Sequence, residues 1–73
     1  MSGVLDLASA VRNRRRELNL TQEELADLAQ VAERTVRAIE AGKQTIQLDK
    51  AVQVLGAIGL EFAVQVHVPK ALR

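Results

Sequence analysis

The stretch that decides the fold runs from Leu20 to Gly42. It reads Leu20-Thr21-Gln22-Glu23-Glu24-Leu25-Ala26-Asp27-Leu28-Ala29, then Gln30-Val31-Ala32, then Glu33-Arg34-Thr35-Val36-Arg37-Ala38-Ile39-Glu40-Ala41-Gly42. Thr21 and Glu24 have the spacing of a capping box, in which each side chain satisfies a backbone amide of the first helical turn. A helix is therefore expected to start at Thr21, with Leu25, Leu28 and Ala29 as its buried stripe. A new stripe, Val36 and Ile39, begins by Glu33, and Gly42 supplies a stop. Only Gln30-Val31-Ala32 separates the two helices. Two short helices joined so tightly have the geometry of a helix-turn-helix. Helical periodicity alone fits a plain small bundle equally well.

Working outward, Leu7, Val11 and Leu18 recur at helical spacing and predict a first helix from about Asp6 to Leu18. Asn19 follows as a residue that tolerates the left-handed conformation of a helix stop. Downstream, Lys43-Gln44-Thr45 reads as a polar loop into a further helix from about Leu48. Its stripe, Leu48, Ala51, Val52, Val54, Leu55 and Ile58, is wider than one core face needs, so it is expected to serve a second subunit as well. From Leu60 the period changes to two. Leu60, Phe62, Val64, Val66 and Val68 alternate with Glu61, Ala63, Gln65 and His67, and Pro69 ends the run. One strand alone leaves an open apolar edge. Its natural partner is the same strand of another copy, antiparallel in a symmetric homodimer. The expected fold is mostly α: a four- to five-helix bundle over about 6–59, then a dimerisation strand over about 60–68. All of 1–73 forms a single domain.

Composition narrows the function classes. A 73-residue chain has room for one domain. A core of this size supplies only about 3–5 kcal/mol. There is no cysteine and one histidine, so neither disulfides nor a structural metal site is expected, and no cofactor is implied. Oligomerisation is the remaining support. No apolar run spans a bilayer and the N-terminus lacks signal-peptide features, so a soluble cytoplasmic protein is expected. The formal charge is +1, so nucleic-acid binding would need a local patch. Arg12-Asn13-Arg14-Arg15-Arg16 is one such cluster; Arg34, Arg37 and Lys43 form another. No Ser/His/Asp set, paired acid–base site or glycine-rich phosphate loop is present in the sequence, and no enzyme is expected.

The run from Leu20 to Ala26, with Val31, Thr35-Val36 and Ile39-Glu40-Ala41-Gly42, resembles the Cro/cI-type (Xre) helix-turn-helix family, whose fold is lambda-repressor-like. The resemblance covers about residues 7–60. Two positions depart from the family pattern: Gln30 stands where glycine is common, and Ala32 where a capping Ser or Thr is common. The resemblance implies that the third helix enters the major groove of double-stranded DNA, with Ala32, Glu33, Arg34 and Arg37 facing bases. Arg34 or Arg37 would then hold guanine O6 and N7, Glu33 would accept from cytosine N4, and Ala32 would touch a thymine methyl. Thr21 and Gln22 match phosphate-holding positions, as do Lys43 and Gln44 in the following loop. Arg12 and Arg14 are expected to add phosphate contacts. Arg15 and Glu40 match a salt bridge between the first and third helices. Arg15→Ala is accordingly expected to destabilise the fold and Arg12→Ala not to. Without the resemblance, all these charges read as a solvated surface.

The segments Gly42 to Thr45, Leu48 to Ala51 and Leu55 to Leu60 resemble HipB-type antitoxins. That resemblance implies a dimer on an inverted-repeat operator, autorepression, and a HipA-type kinase toxin as partner. A stand-alone phage-type or restriction-system regulator stays open, as does an interaction module that has lost DNA binding.

Overall fold

The computed structural model describes residues 3–43 and 45–61. Four helices follow in order: α1 (Gly3–Glu17), α2 (Gln22–Ala29), α3 (Glu33–Glu40) and α4 (Leu48–Ala57). There is no fifth helix among the described residues. The expected strand and its residues Phe62, Val64, Val66 and Val68 lie outside them.

All four helices end in the same way. Asn19, Gln30, Gly42 and Gly59 adopt positive φ of 58°, 59°, 76° and 76°. The next residue then turns its N–H back to a carbonyl five positions earlier: Leu20 to Arg15, Val31 to Ala26, Lys43 to Ala38 and Leu60 to Leu55, at 2.9–3.1 Å. This closure satisfies carbonyls that a helix end would otherwise leave unpaired. Leu20, Val31 and Leu60 then pack against the core, so each closure also anchors the chain. Glycine takes positive φ freely and asparagine tolerates it. Gln30 has neither advantage and carries a local cost.

Helix starts differ more. Thr21 and Glu24 form the reciprocal capping box: Glu24 N donates to Thr21 Oγ1 at 3.0 Å and Thr21 N to Glu24 Oε1 at 2.8 Å. Ala32 and Gln47, the N-caps of α3 and α4, supply no side-chain bond. α1 begins at Gly3, ahead of the expected Asp6, and ends at Glu17.

The core gathers Val11 of α1, Leu25, Ala26 and Ala29 of α2, Val36 and Ile39 of α3, and Val54, Leu55 and Ile58 from α4 and its end. α3 is packed by each of the other three helices. Two expected core residues are corrected. Leu28 is 60% exposed and Leu18 40% exposed. The buried arc of α2 centres between Leu25 and Ala26, and at about 100° per residue Leu28 lies beyond its edge. Leu18 follows the last residue of α1, its N–H still bonded to the Arg14 carbonyl at 3.1 Å, and stands at the helix end rather than over the core. On α4, Leu48 and Val52 are 68% and 51% exposed, flanking the buried Ala51, Val54 and Leu55. Leu60, expected at the start of the strand, closes α4 through its N–H to the Leu55 carbonyl. No described helix is long and apolar enough to cross a membrane.

Candidate nucleic-acid interface

The basic cluster at the end of α1 turns largely inward. Arg12 Nη1 donates to the Glu40 carbonyl at 3.2 Å, at the C-terminus of α3. Arg14 Nε donates to the Ile58 carbonyl at 3.0 Å, at the C-terminus of α4. A cation at a helix C-terminus meets both an unpaired carbonyl and the negative end of the helix dipole. Two arginines expected on phosphates are thus tied to helix ends. Arg14 also lies 3.6 Å from Glu17.

Arg15 is the structural member of the cluster. Its Nε and Nη2 donate to Glu40 Oε2 at 2.7 Å and Oε1 at 3.0 Å, and Nη1 donates to the Leu20 carbonyl at 2.8 Å. The side chains of Arg15 and Glu40 are only 13% and 4% exposed. The Glu40 hydrogen bond, with its charge, raises the Arg15 pKa against the opposing effect of burial. Gln22, the first residue of α2, donates Nε2 to Glu40 Oε1 at 3.2 Å. Glu40 therefore joins α1, α2 and α3. No buried side-chain nitrogen or oxygen among the described residues lacks a partner.

With Val36, Ile39 and Glu40 buried, the helical period turns Arg34, Arg37 and Ala38 toward the other side of α3. Arg34 and Arg37 are exposed; Glu33 and Ala38 are half-buried. Ala32 is exposed at the start of the helix. Glu33 and Arg37 are brought together as an ion pair one turn apart. The orientation, Glu ahead of a cation by four residues, is the favourable one.

Beside α3 lies an open cleft of about 400 Å³, lined by Arg34, Thr35, Lys43, Thr45, Gln47 and Lys50, with Ala38 and Ile46. Arg34, Lys43 and Lys50 pair with no carboxylate among the described residues. Three unpaired cations on one concave wall suit a polyanion. Gln44, the other loop residue expected on phosphate, lies outside the described residues.

Two residues that line this cleft escaped the sequence reading. Lys50 sits in the first turn of α4, where only folding brings it beside Lys43 and Arg34. Ala38 has no polar group to mark it, but its small side chain leaves room beside Arg34. Only the one-turn spacing of Arg34 and Ala38 could have signalled it.

Comparison with known proteins gives the family. A helix-turn-helix family model matches residues 11–65. An uncharacterised HTH-type transcriptional regulator, y4mF, from Sinorhizobium fredii is 46% identical over 54 residues, covering 74% of this chain and 71% of the relative. An uncharacterised HTH-type transcriptional regulator of Methanothermobacter thermautotrophicus is 38% identical over 55 residues, covering 75% of this chain and 80% of the relative. Among solved structures, one described as a toxin-antitoxin module from Streptococcus pneumoniae superposes with a TM-score of 0.64 and 28% identity. It covers 89% of this chain and 72% of that one. The chain belongs to the Cro/Xre-type helix-turn-helix family of DNA-binding transcriptional regulators.

Proposed function

We propose that the chain is a dimeric, operator-specific repressor serving as the antitoxin of a toxin–antitoxin pair. The observation that carries the DNA part is the exposed α3 face. Arg34 and Arg37 stand on it beside Ala38, and Lys43 and Lys50, unpaired among the described residues, border it. A guanidinium fork on such a helix suits guanine O6 and N7, with Ala32 and Glu33 near the same groove floor. Thr21, Gln22, Lys43 and Gln44 would anchor phosphates on either side. Arg12 and Arg14, already bonded to helix-end carbonyls, would add only secondary phosphate contacts through their remaining N–H groups.

Two copies would place two reading helices about 34 Å apart on an inverted repeat. The strand over about 60–68, following the α4 closure at Leu60, would pair with its twin, through Phe62, Val64, Val66 and Val68. The exposed Leu48 and Val52 offer further apolar surface to the second copy.

The toxin–antitoxin neighbour supports the antitoxin role, and the HipB resemblance specifies a HipA-type kinase toxin and autorepression of a shared operon. The two relatives named only as transcriptional regulators favour a second reading, a stand-alone regulator without a toxin.

The test is selection of duplexes from a random pool by the tagged protein, repeated with the Arg34→Ala/Arg37→Ala variant. The reading expects an inverted-repeat consensus that the variant fails to enrich. Absence of a wild-type consensus, or equal enrichment by the variant, overturns it. Nuclease-treated pull-down from native cells then separates antitoxin from stand-alone regulator by whether a stoichiometric kinase-like partner is recovered.

A further inference from the structure

Glu40 does more in this fold than neutralise Arg15. Its carboxylate is buried, and Oε1 accepts from Gln22 Nε2 as well as from Arg15 Nη2. An ionised carboxylate only accepts, so Gln22 must present its nitrogen to Glu40 and never its oxygen. The amide is thereby held in one orientation. One Nε2–H is used, and the other has no acceptor among the described residues. Gln22 is half-buried and opens α2 immediately after the capped Thr21, where backbone amides and the helix dipole also favour an anion. A free glutamine would lose several torsions on binding. A glutamine already held by a buried acid loses far less.

We propose that Glu40 is a positioning residue for DNA binding. Its carboxylate fixes the Gln22 amide so that the remaining Nε2–H donates to one backbone phosphate in each operator half-site. The same carboxylate locks Arg15, so the phosphate anchor and the end of the reading helix are set by one group. This rests on the proposed operator-binding function.

The test uses the duplex that the full-length wild type selects from a random pool. A set of copies carries a single methylphosphonate at successive backbone positions, and binding is read by fluorescence anisotropy. Wild type is expected to lose about tenfold at one phosphate per half-site, the size expected for a lost hydrogen bond to a charged group. Gln22→Ala should lose clearly less than wild type from that substitution, keeping only the share that the backbone amides of α2 supply, while its losses at other positions stay as in wild type. Glu40→Asp, whose carboxylate is drawn back by one methylene from both Gln22 and Arg15, should behave as Gln22→Ala does at that phosphate. Arg15→Met/Glu40→Met is the second variant. It replaces the buried pair by apolar groups of similar size, a change that commonly preserves folding. It should lose the same single-phosphate response.

A full wild-type response from both Glu40 variants overturns the proposal, as does an even reduction at every phosphate, which is what a merely structural role gives. If Gln22→Ala keeps the wild-type profile, the inference fails while operator binding stands. If wild type selects no duplex, the operator reading and the inference fall together.

Discussion

Arg15 meets Glu40 edge-on, with Nε 2.7 Å from one carboxylate oxygen and Nη2 3.0 Å from the other, across the junction of α1 and α3. The fork also caps the Leu20 carbonyl, so the first helix, its closure and the third helix share one ion pair. Such a pair contributes little when compared with apolar packing, but removing one half strands a buried charge.

Arg15→Ala should therefore cost about 3–5 kcal/mol, most of the stability available to a core of this size. Arg12→Ala should cost about 1 kcal/mol, the loss of one hydrogen bond to the Glu40 carbonyl. The sequence reading expected no cost there; the bond to the end of α3 is the reason for the change. Thermal melts of the two variants decide it, and equal melting temperatures would refute the structural role of Arg15. The raised Arg15 pKa makes its contribution complete at any pH below the ordinary guanidinium range and lost only above the raised value. Stability should accordingly show no Arg15 titration between neutrality and mild alkali.

The turn between α2 and α3 carries two removable costs. Gln30→Gly should relieve about 1 kcal/mol, because residue 30 sits at φ 59°. Ala32→Ser adds the missing N-cap of α3 and should stabilise by about 1 kcal/mol. Denaturant midpoints should rise for each variant and further for the pair. A fall on Gln30→Gly would mean that the glutamine side chain compensates for its backbone.

Glu33 and Arg37 are paired in the free protein. Glu33→Gln removes one negative charge from the proposed groove face and releases Arg37. Affinity for an unrelated duplex should rise several-fold while preference for the selected operator falls. Competition binding measures both at once; unchanged discrimination would remove Glu33 from the reading surface.

Lys50 and Lys43 line the same cleft. Lys50→Ala and Lys43→Ala should each weaken all DNA sequences alike and flatten the log–log salt dependence by about one unit, the signature of one phosphate contact. A salt slope identical to wild type would take that lysine off the DNA.

Val64→Asp should dissociate the proposed homodimer in sedimentation equilibrium and weaken operator binding with it. Val52→Asp should have the smaller effect, because Val52 lies on α4 outside the proposed strand pair. Dissociation by Val52→Asp alone would move the interface to the helices.

Much of the bundle was legible because the signals are local. The Thr21 and Glu24 capping box needs only three-residue spacing, and Asn19, Gly42 and the stripe of Val36 and Ile39 mark helix ends and faces without any knowledge of the rest. Leu28 shows the limit. It is apolar and suitably spaced, yet in a helix as short as α2 the partners decide which arc is covered. Ala26 took the place the reading had assigned to Leu28.

The site divides along the same line. The sequence by itself determined that a short turn joins two helices, that arginines stand on α3, and, through a family pattern, that Arg15 and Glu40 belong together. Only the tertiary structure decided what each charge does. It turned Arg12 and Arg14 onto the ends of α3 and α4, attached Gln22 to Glu40, and carried Lys50 from the next helix to the cleft beside Arg34. The physical reason is range. Caps and stripes are set within a turn or two of helix, whereas the partner of a charged side chain is whichever carbonyl or carboxylate the folded backbone brings within about 3 Å.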